Sequence, residues 1–390
     1  LFVESLKYNH YNNIIKMKKI TKIIIILFFS LMLNTQNIVA EEKIKIGLLV
    51  PLSGENSKIG KSIIKSINLA INKINNPLIE ILPKDTKSNP SITLRAAKEL
   101  SEEGIKIIIG PIFNENLIYL DELQDVIFLS LTNKINDNKN IISAGINANS
   151  QLKAITKFQI LNNLKKTIFL IPKKDFAEEI EKAIIDSKVS IFKTHYYDSD
   201  PTKLTSQIES LTNYSRRKQN LADEIKRIEK SDELNKERKI KNLKKKDTLG
   251  RIKFDSVIIA DFDESLKSIT TSLFYTDVSP KNIHFITLNQ WFDESLLKEK
   301  SSQPIFFPSI NKKNYEEFIK IYYEAFDEYP NQLSFLSYDL IGLVYYLIIQ
   351  NNMEISSKMF IKKNMFKGKV GIFEIKNNKI NHILNFYKVE

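Results

Sequence analysis

The segment from Gly54 to Ser62 contains the glycine, lysine and serine residues that a phosphate-binding loop requires. In that motif four residues separate the two glycines, so that successive backbone amides converge on the phosphate groups. Five residues lie between Gly54 and Gly60. The spacing therefore favours a turn that leads into a helix beginning near Ser57, and it argues against nucleotide binding.

Residues suited to catalysis or metal binding are sparse. The four histidines are far apart and form no helical pair: they are His10, His195, His284 and His382. The chain has no cysteine, which excludes disulfides, thiol catalysis and cysteine-ligated metals. Asp261, Asp263 and Glu264 form an acidic cluster, but a helix N-terminus also favours acidic residues. We therefore predict a protein that is not an enzyme and has no metal or cofactor.

Polar residues instead follow the predicted strands, where open parallel sheets bind their ligands. Two such sheets facing each other would place these residues on both sides of a cleft. Trp291 is the only tryptophan and would either stack on a ligand or pack between the two lobes. The candidate ligand-binding residues are Ser53, Gly54, Asn114, Ser130, Thr132, Asn133, Phe176, Asp261, Gln290 and Trp291.

These residues are positioned by short apolar strands that alternate with amphipathic helices. The predicted strands lie at 44–50, 78–82, 105–109 and 126–129, and again at 167–171, 189–196, 256–260 and 284–287. Such alternation predicts an α/β fold with helices on both faces of parallel sheets. Two blocks joined near residues 141–150 imply two doubly wound lobes. We expect residues 41–148 plus 330–390 to form the first lobe, with a hairpin around 376–379, and residues 149–329 to form the second.

The net charge of +12 is concentrated in two segments. Residues 1–40 carry +4, and residues 211–251 carry fourteen basic against seven acidic side chains. The rest of the chain is close to neutral, so no nucleic-acid partner is expected. Residues 211–251 are predicted to be an exposed helical insertion in the second lobe, either a solvated helix pair or an arm that binds a partner.

Residues 17–40 have the pattern of a signal peptide. Lys18, Lys19 and Lys22 precede an apolar stretch, and Ala40 is a small residue at the expected cleavage site. We therefore treat residues 1–40 as upstream residues and a leader, and we expect export to the periplasm. Without a cysteine to carry lipid, no stable membrane anchor is expected.

Four short motifs, in this order, resemble the type I periplasmic binding proteins of the leucine-binding family. They are Ile44–Gly54 (IKIGLLVPLSG), Ile107–Asn114 (IIIGPIFN), Phe128–Asn133 (FLSLTN) and Leu336–Leu343 (LSYDLIGL). Within that family the chain is most similar to the penicillin-binding-protein activators. In that group, too, a charged helical insertion precedes a strand like 254–260, and a Trp-acidic segment like 290–294 follows the next strand.

The resemblance implies a non-catalytic clamp that closes on an amino-acid-like or peptide-like solute, for import through an ABC permease or for sensing. The implied carboxylate grip keeps Ser130 and Thr132, whereas Asn114 stands where a serine is common. Phe176 matches an aromatic clamp residue, and Asp261 or Asp263 would meet the ammonium group. The activator group implies the alternative function, regulation of peptidoglycan synthesis through contact with a synthase.

Overall fold

The computed structural model describes residues 16–25, 43–289, 291–292 and 302–390 of the 390-residue chain. The chain divides into two compact units, Leu1–Ile44 and Lys45–Glu390. In the first unit residues 16–25 are helical, and the Thr21 hydroxyl donates to the Met17 carbonyl at 2.8 Å. The predicted cleavage site after Ala40 lies outside the described residues.

The first sheet has the strand order β2-β1-β3-β4-β5. Strands β1, β3, β4 and β5 pair in parallel, as buried runs of apolar residues between helices predict. Helix α1 follows β1 and helix α2 follows β2. The bounds are β1 Ile44–Val50, α1 Ser57–Ile74, β2 Ile79–Asp85, α2 Pro90–Glu102, β3 Ile107–Ile109, β4 Ile127–Ser130 and β5 Ile141–Ser143.

Sequence patterns explain where these helices begin and end. In α1 the buried side chains Ile63, Ile67 and Ala70 recur at helical spacing, and Asn75 ends the helix in a left-handed conformation. Helix α2 begins with a proline, and the Asn89 side chain caps it by accepting from the backbone amide of Ile92. Two short 3₁₀ helices, Asn114–Leu117 and Leu120–Glu122, connect β3 to β4.

The second sheet has the order β14-β10-β9-β8-β6-β7. Strands β6 to β10 pair in parallel, and β14 pairs antiparallel with β10 at the edge. Its strands are β6 Thr167–Pro172, β7 Lys193–Tyr197, β8 Ser256–Ile259, β9 His284–Thr287, β10 Ile305–Ser309 and β14 Asn385–Val389. Its flanking helices are α3 Ala148–Leu161, α4 Ala177–Ser187, α5 Pro201–Thr212 and α8 Asp263–Tyr275.

The last part of the chain is shared between the lobes. Helices α9 Lys312–Phe326 and α10 Gln332–Gln350 pack on α1, where Ser62 Oγ lies 3.0 Å from Tyr322 Oη and 2.7 Å from Ser334 Oγ. Helix α10 is long and apolar enough to cross a membrane by composition, but it is mostly buried in the protein. Strand β14 belongs to the second sheet, which corrects the expectation that residues 330–390 return as a whole to the first lobe.

A third, three-stranded sheet consists of β11 Asn364–Lys367, β12 Ile372–Lys376 and β13 Lys379–Ile383, with the expected hairpin between β12 and β13. It holds two buried ionisable groups in place. Asp339 of α10 accepts hydrogen bonds from the backbone amides of Lys369 and Val370 at 2.7 and 2.5 Å. The Nε2 of His382 lies 2.9 Å from the Ala144 carbonyl, so this nitrogen carries the proton.

The basic insertion forms helices α6 Tyr214–Glu229 and α7 Lys236–Leu243, consistent with the predicted helix pair. It is tied to the second lobe by Arg217, which is buried. Its guanidinium donates to the Thr212 carbonyl at 3.1 Å, to Thr248 Oγ1 at 2.8 Å and to the Thr276 carbonyl. The insertion is thus docked at its root while most of its charged side chains remain exposed.

Candidate functional site

A cleft of about 540 Å³ lies between the two lobes, at the carboxyl ends of strands from both sheets. Asn114 follows β3, and Thr132 and Asn133 follow β4 on the first wall. Asp263 follows β8 and Trp291 follows β9 on the second wall. This is the edge at which parallel sheets bind ligands, so the cleft is the candidate site.

A series of hydrogen bonds through Asn289 holds the second wall of the cleft in position. The backbone amide of Asn289 donates to Gln151 Oε1 at 2.7 Å. Asn289 Oδ1 accepts from the Trp291 amide at 3.2 Å and from Ser309 Oγ at 2.6 Å. The ring of Trp291 lies 6.3 Å from that of Tyr315 and also lines the cleft. The indole is therefore held at the cleft by its own backbone hydrogen bond and by an aromatic neighbour.

Glycine is required at the back of the cleft. A Cβ atom on Gly145 would lie 2.5 Å from the Thr132 carbonyl oxygen and 2.7 Å from that of Leu131. Gly145 is in the segment that leads from β5 to α3, the first crossing between the lobes. Because backbone atoms block the space, a larger residue would push this crossing away from the first wall.

A second cavity of about 370 Å³ adjoins the cleft and shares Asn114 and Lys134 with it. Phe176 and Glu179 line this cavity. Burial raises the pKa of the Glu179 carboxyl, and the positive charges of Lys134 and Lys182 partly offset that effect. Phe176 therefore borders the site from the side, next to a half-buried carboxyl group.

Ser130 does not line the cleft. It is fully buried, and its hydroxyl donates to the Pro111 carbonyl at 2.7 Å and accepts from the Thr132 amide at 3.3 Å. The side chain that the resemblance assigns to a ligand carboxylate thus connects the turn after β3 to the end of β4.

We expect Ser130→Ala to lower the free energy of unfolding by about 1 kcal/mol. The buried Pro111 carbonyl would keep only the Leu131 amide as a donor, at 3.2 Å, and the Thr132 amide would lose the Ser130 hydroxyl as an acceptor. Urea unfolding of the two proteins measures this difference. Ser53→Ala is the control, since the Ser53 hydroxyl donates to Asp85 in an exposed turn and should cost less. Equal costs for both variants would contradict the structural role given to Ser130.

Asp261 is also absent from the cleft lining. Its carboxylate accepts from Tyr197 Oη at 2.7 Å, from Lys174 Nζ at 3.0 Å and from the Phe262 amide at 3.0 Å. Its side chain is only 3% exposed. The carboxylate at this strand end that does face the cleft is Asp263, the first residue of α8.

The remaining candidates are elsewhere. Ser53 and Gly54 belong to the turn after β1, where Asp85 accepts from the Leu52 amide and the Ser53 hydroxyl, and they line neither cavity. Gln290 lies outside the described residues. Of the ten candidates the structure brings Asn114, Thr132, Asn133 and Trp291 together in the cleft, with Phe176 beside them.

Sequence reasoning missed the helix residues of the site. Gln151 lies in the first turn of α3, and Gln332, Leu333 and Leu336 begin α10. Helix α3 follows the first crossing between the lobes, and α10 follows the loop after α9. The position of these residues, in the first turns of two helices that begin at the cleft, is what would have indicated them.

The cleft offers amides, a hydroxyl, an indole and charged groups at its edges. In the described part of the chain no group of three or more histidine, aspartate or glutamate side chains could hold a metal ion. Charges of both signs line it, with Lys134 and Glu115 on the first wall and Asp263 on the second.

Comparisons with known proteins agree with this architecture. Residues 43–211 match the family model described as periplasmic binding protein. No curated protein matches the sequence.

Solved structures with the same fold have different roles. A solute-binding protein of an ABC transporter from Rhodopseudomonas palustris BisB5, in complex with 3,4-dihydroxybenzoic acid, is 16% identical, with a TM-score of 0.57 over 90% of this chain and 94% of that one. The leucine complex of an ABC transporter substrate-binding protein from Desulfitobacterium hafniense is 10% identical, with a TM-score of 0.59 over 90% and 98%.

A third structure is the C-domain of LpoA from Haemophilus influenzae, a regulator of PBP1A. It is 15% identical, with a TM-score of 0.57 over 89% of this chain and 98% of that domain. At these identities the likeness concerns the fold. The chain therefore has the fold of the type I periplasmic binding proteins, and its residues 43–211 match the periplasmic binding protein model in sequence.

Proposed function

We propose that the protein is a periplasmic, non-catalytic receptor that captures a small amino-acid-like or peptide-like solute for ABC import or sensing. The observation that carries this proposal is the cleft of about 540 Å³ with lining residues from both lobes. A ligand that contacts both walls stabilises the closed arrangement of the lobes, which is how such a clamp reports occupancy.

The charges and polar groups of the cleft favour a ligand with both a negative and a positive group. Lys134 of the first wall is placed to face an anionic group, and Asp263 of the second wall a cationic one. The amides of Asn114 and Asn133 accept and donate, which suits a peptide bond. Trp291 provides an apolar surface on which a side chain of the ligand can stack.

A ligand screen tests this function. The full chain is mixed with amino acids, short peptides and muropeptides, and thermal unfolding is followed together with the fluorescence of its single tryptophan. A ligand at a hundred times its Kd should add about 2.7 kcal/mol of stability. A stabilising ligand should also change Trp291 emission, since this side chain lines the cleft. A flat screen on well-folded protein would sink the proposal.

A matched pair of variants locates the binding. Asn133→Ala removes an amide that lines the cleft, and we expect it to weaken the ligand that the screen identifies by about tenfold, or about 1.4 kcal/mol. Asn138→Ala removes an exposed amide from the same segment outside the cleft and should leave the affinity unchanged. The same loss in both variants would argue against binding in this cleft.

The docked basic insertion favours a second function, regulation of peptidoglycan synthesis through contact with a synthase. Helices α6 and α7 are held at Arg217 and present a largely exposed basic surface. The test is co-purification of a peptidoglycan synthase with the parent chain and with Lys244, Lys245 and Lys246 changed to glutamate. This function requires capture by the parent and loss in the variant; failure of the parent to capture a synthase would exclude it.

A further inference from the structure

A third cavity, of about 510 Å³, lies at the amino ends of strands in the second sheet, the edge opposite to the cleft. Its walls come from the start of β6 and β7, from the end of α5 and the start of α6, and from residues 250–254 before β8. We call it the insertion pocket, because residues 211–220 form one wall. It is as large as many small-molecule sites, which span roughly 300–1,000 Å³.

Apolar side chains form one part of the lining of the insertion pocket, beside polar and charged ones. Ile168 and Phe254 are buried at 3% and 6% exposure, and Leu211 and Ile252 pack against the same core cluster of the second lobe. Phe192 also lines the pocket but is 58% exposed, so it leaves a large aromatic surface open to solvent. Such a surface gains free energy when an apolar ligand covers it.

Five cationic side chains line the same pocket, and no acidic side chain does. Arg217 is engaged by hydrogen-bond acceptors of the protein, and the other four are Lys193, Arg216, Arg251 and Lys253. Within the part of the chain that the structure describes, none of the four makes an ion pair. Elsewhere on the insertion the pattern differs, since Arg227 pairs with Glu224 and Glu233 at 2.8 and 2.7 Å. The pocket therefore keeps a concentration of uncompensated positive charge.

The cationic wall is held in position by the protein itself. Arg217 is engaged by three hydrogen-bond acceptors, and its stem lies close to Gly250. The Leu249 amide donates to the Arg217 carbonyl at 2.9 Å. Residues 216–217 and 250–251 are thus joined, so Arg216 and Arg251 approach the pocket from two connected segments.

We propose that the insertion pocket binds a small amphipathic anion, with its apolar body against Ile168, Phe192 and Phe254 and its negative group among the four cations. The apolar part of the lining alone would accept an apolar molecule, and the cations alone an anion; the combination selects a molecule that has both features. This site is separate from the cleft and does not depend on the solute bound there.

Decanoate is the probe, and isothermal titration calorimetry on the full chain measures its binding. Decyltrimethylammonium has the same alkyl length with a positive head group, and hexaglutamate has negative charge without an alkyl chain. We expect decanoate to bind at least tenfold more tightly than either, and more weakly as salt is raised. Equal affinity for decyltrimethylammonium, tighter binding of hexaglutamate, or no binding of decanoate would each overturn the proposal.

Two double variants with the same change of charge locate the site. Arg216→Glu with Arg251→Glu places two carboxylates in the insertion pocket, and we expect it to weaken decanoate at least tenfold. Arg238→Glu with Lys241→Glu alters exposed side chains of α7 outside the pocket and should change the affinity less than twofold. All four residues are solvent-exposed, so both variants should fold, as thermal unfolding would verify. Equal loss in both would show non-specific charge attraction and overturn the assignment.

Discussion

Replacing Arg217 with methionine is expected to lower the free energy of unfolding by about 3 kcal/mol. The guanidinium satisfies two backbone carbonyls, of Thr212 and Thr276, and the hydroxyl of Thr248 in a buried setting. Methionine fills much of the volume but donates nothing, so these acceptors lose their donor without access to water. The contact with Asp277 adds less, since its atoms are 3.7 Å apart and the carboxylate is partly exposed.

The Arg217→Met variant should also lose stability locally, in the insertion itself. Arg217 joins α6 to the segment that re-enters the second lobe before β8, so the variant should expose residues 211–251 first. Hydrogen exchange of these amides should accelerate while the strands of the first sheet keep their protection. Urea unfolding measures the change in stability.

Arg227→Met is the matched control on the same helix. Arg227 makes two ion pairs of 2.8 and 2.7 Å, but its side chain is 56% exposed. Exposed pairs contribute about 1 kcal/mol or less. If Arg227→Met cost as much as Arg217→Met, burial would not be the reason why Arg217 holds the insertion.

The stability of the protein should depend on pH through two buried groups that act in opposite directions. Burial lowers the pKa of His382 to about 4, although its contacts with the Ala144 and Gly145 backbone favour the charged form. Burial raises the pKa of Asp339 to about 7, partly offset by the amides of Lys369 and Val370 and by the charge of Lys369. One group thus resists protonation in the folded protein, and the other favours it.

The signs follow from which state binds the proton. As pH falls below about 6.5, His382 protonates in the unfolded chain but not in the folded one, so stability is lost until about pH 4, by about 3 kcal/mol in all. Asp339 does the reverse. Its contribution is fully present below about pH 4 and is lost as pH rises through 7, by about 4 kcal/mol. The two effects largely cancel between pH 4 and 6.5.

Single variants should separate the two effects. In Asp339→Asn only the His382 effect remains, so urea unfolding should show stability falling as pH drops from 6.5 to 4. In His382→Gln only the Asp339 effect remains, so stability should rise over the range from pH 7 to 4. The double variant should follow neither trend. A pH profile of Asp339→Asn parallel to that of the parent would contradict the raised pKa of Asp339.

Much of the fold could be predicted from the sequence because the signal is local. The apolar run of β1 and the spacing of Ile63 and Ile67 in α1 define a strand and a helix without reference to the rest of the chain. The placement of β14 could not be predicted this way. Its residues read as a continuation of the β12–β13 hairpin, and only the free edge of β10 and the packing of Val389 in the second core determine which sheet it joins.

The site was partly predictable because the ends of strands are also recognisable from local sequence. The rule that ligands bind at the carboxyl ends of strands identifies the segments but not the direction of each side chain. Ser130 and Asp261 are at the right strand ends, yet both bond to internal partners, Pro111 in one case and Tyr197 in the other. Thr132 and Asp263, two residues further along in each case, line the cleft. Which residue of such a segment faces the ligand depends on tertiary hydrogen bonds that spacing does not show.

Strand β14 also makes the second lobe depend on a segment that is distant in sequence from its other strands. Strands β6 to β10 lie within residues 167–309, whereas β14 is Asn385–Val389. All strands of the first sheet lie within residues 44–143. The second sheet is therefore completed only by closing a long loop through α9, α10 and the third sheet, and such non-local pairing is expected to make the second lobe slower to fold than the first.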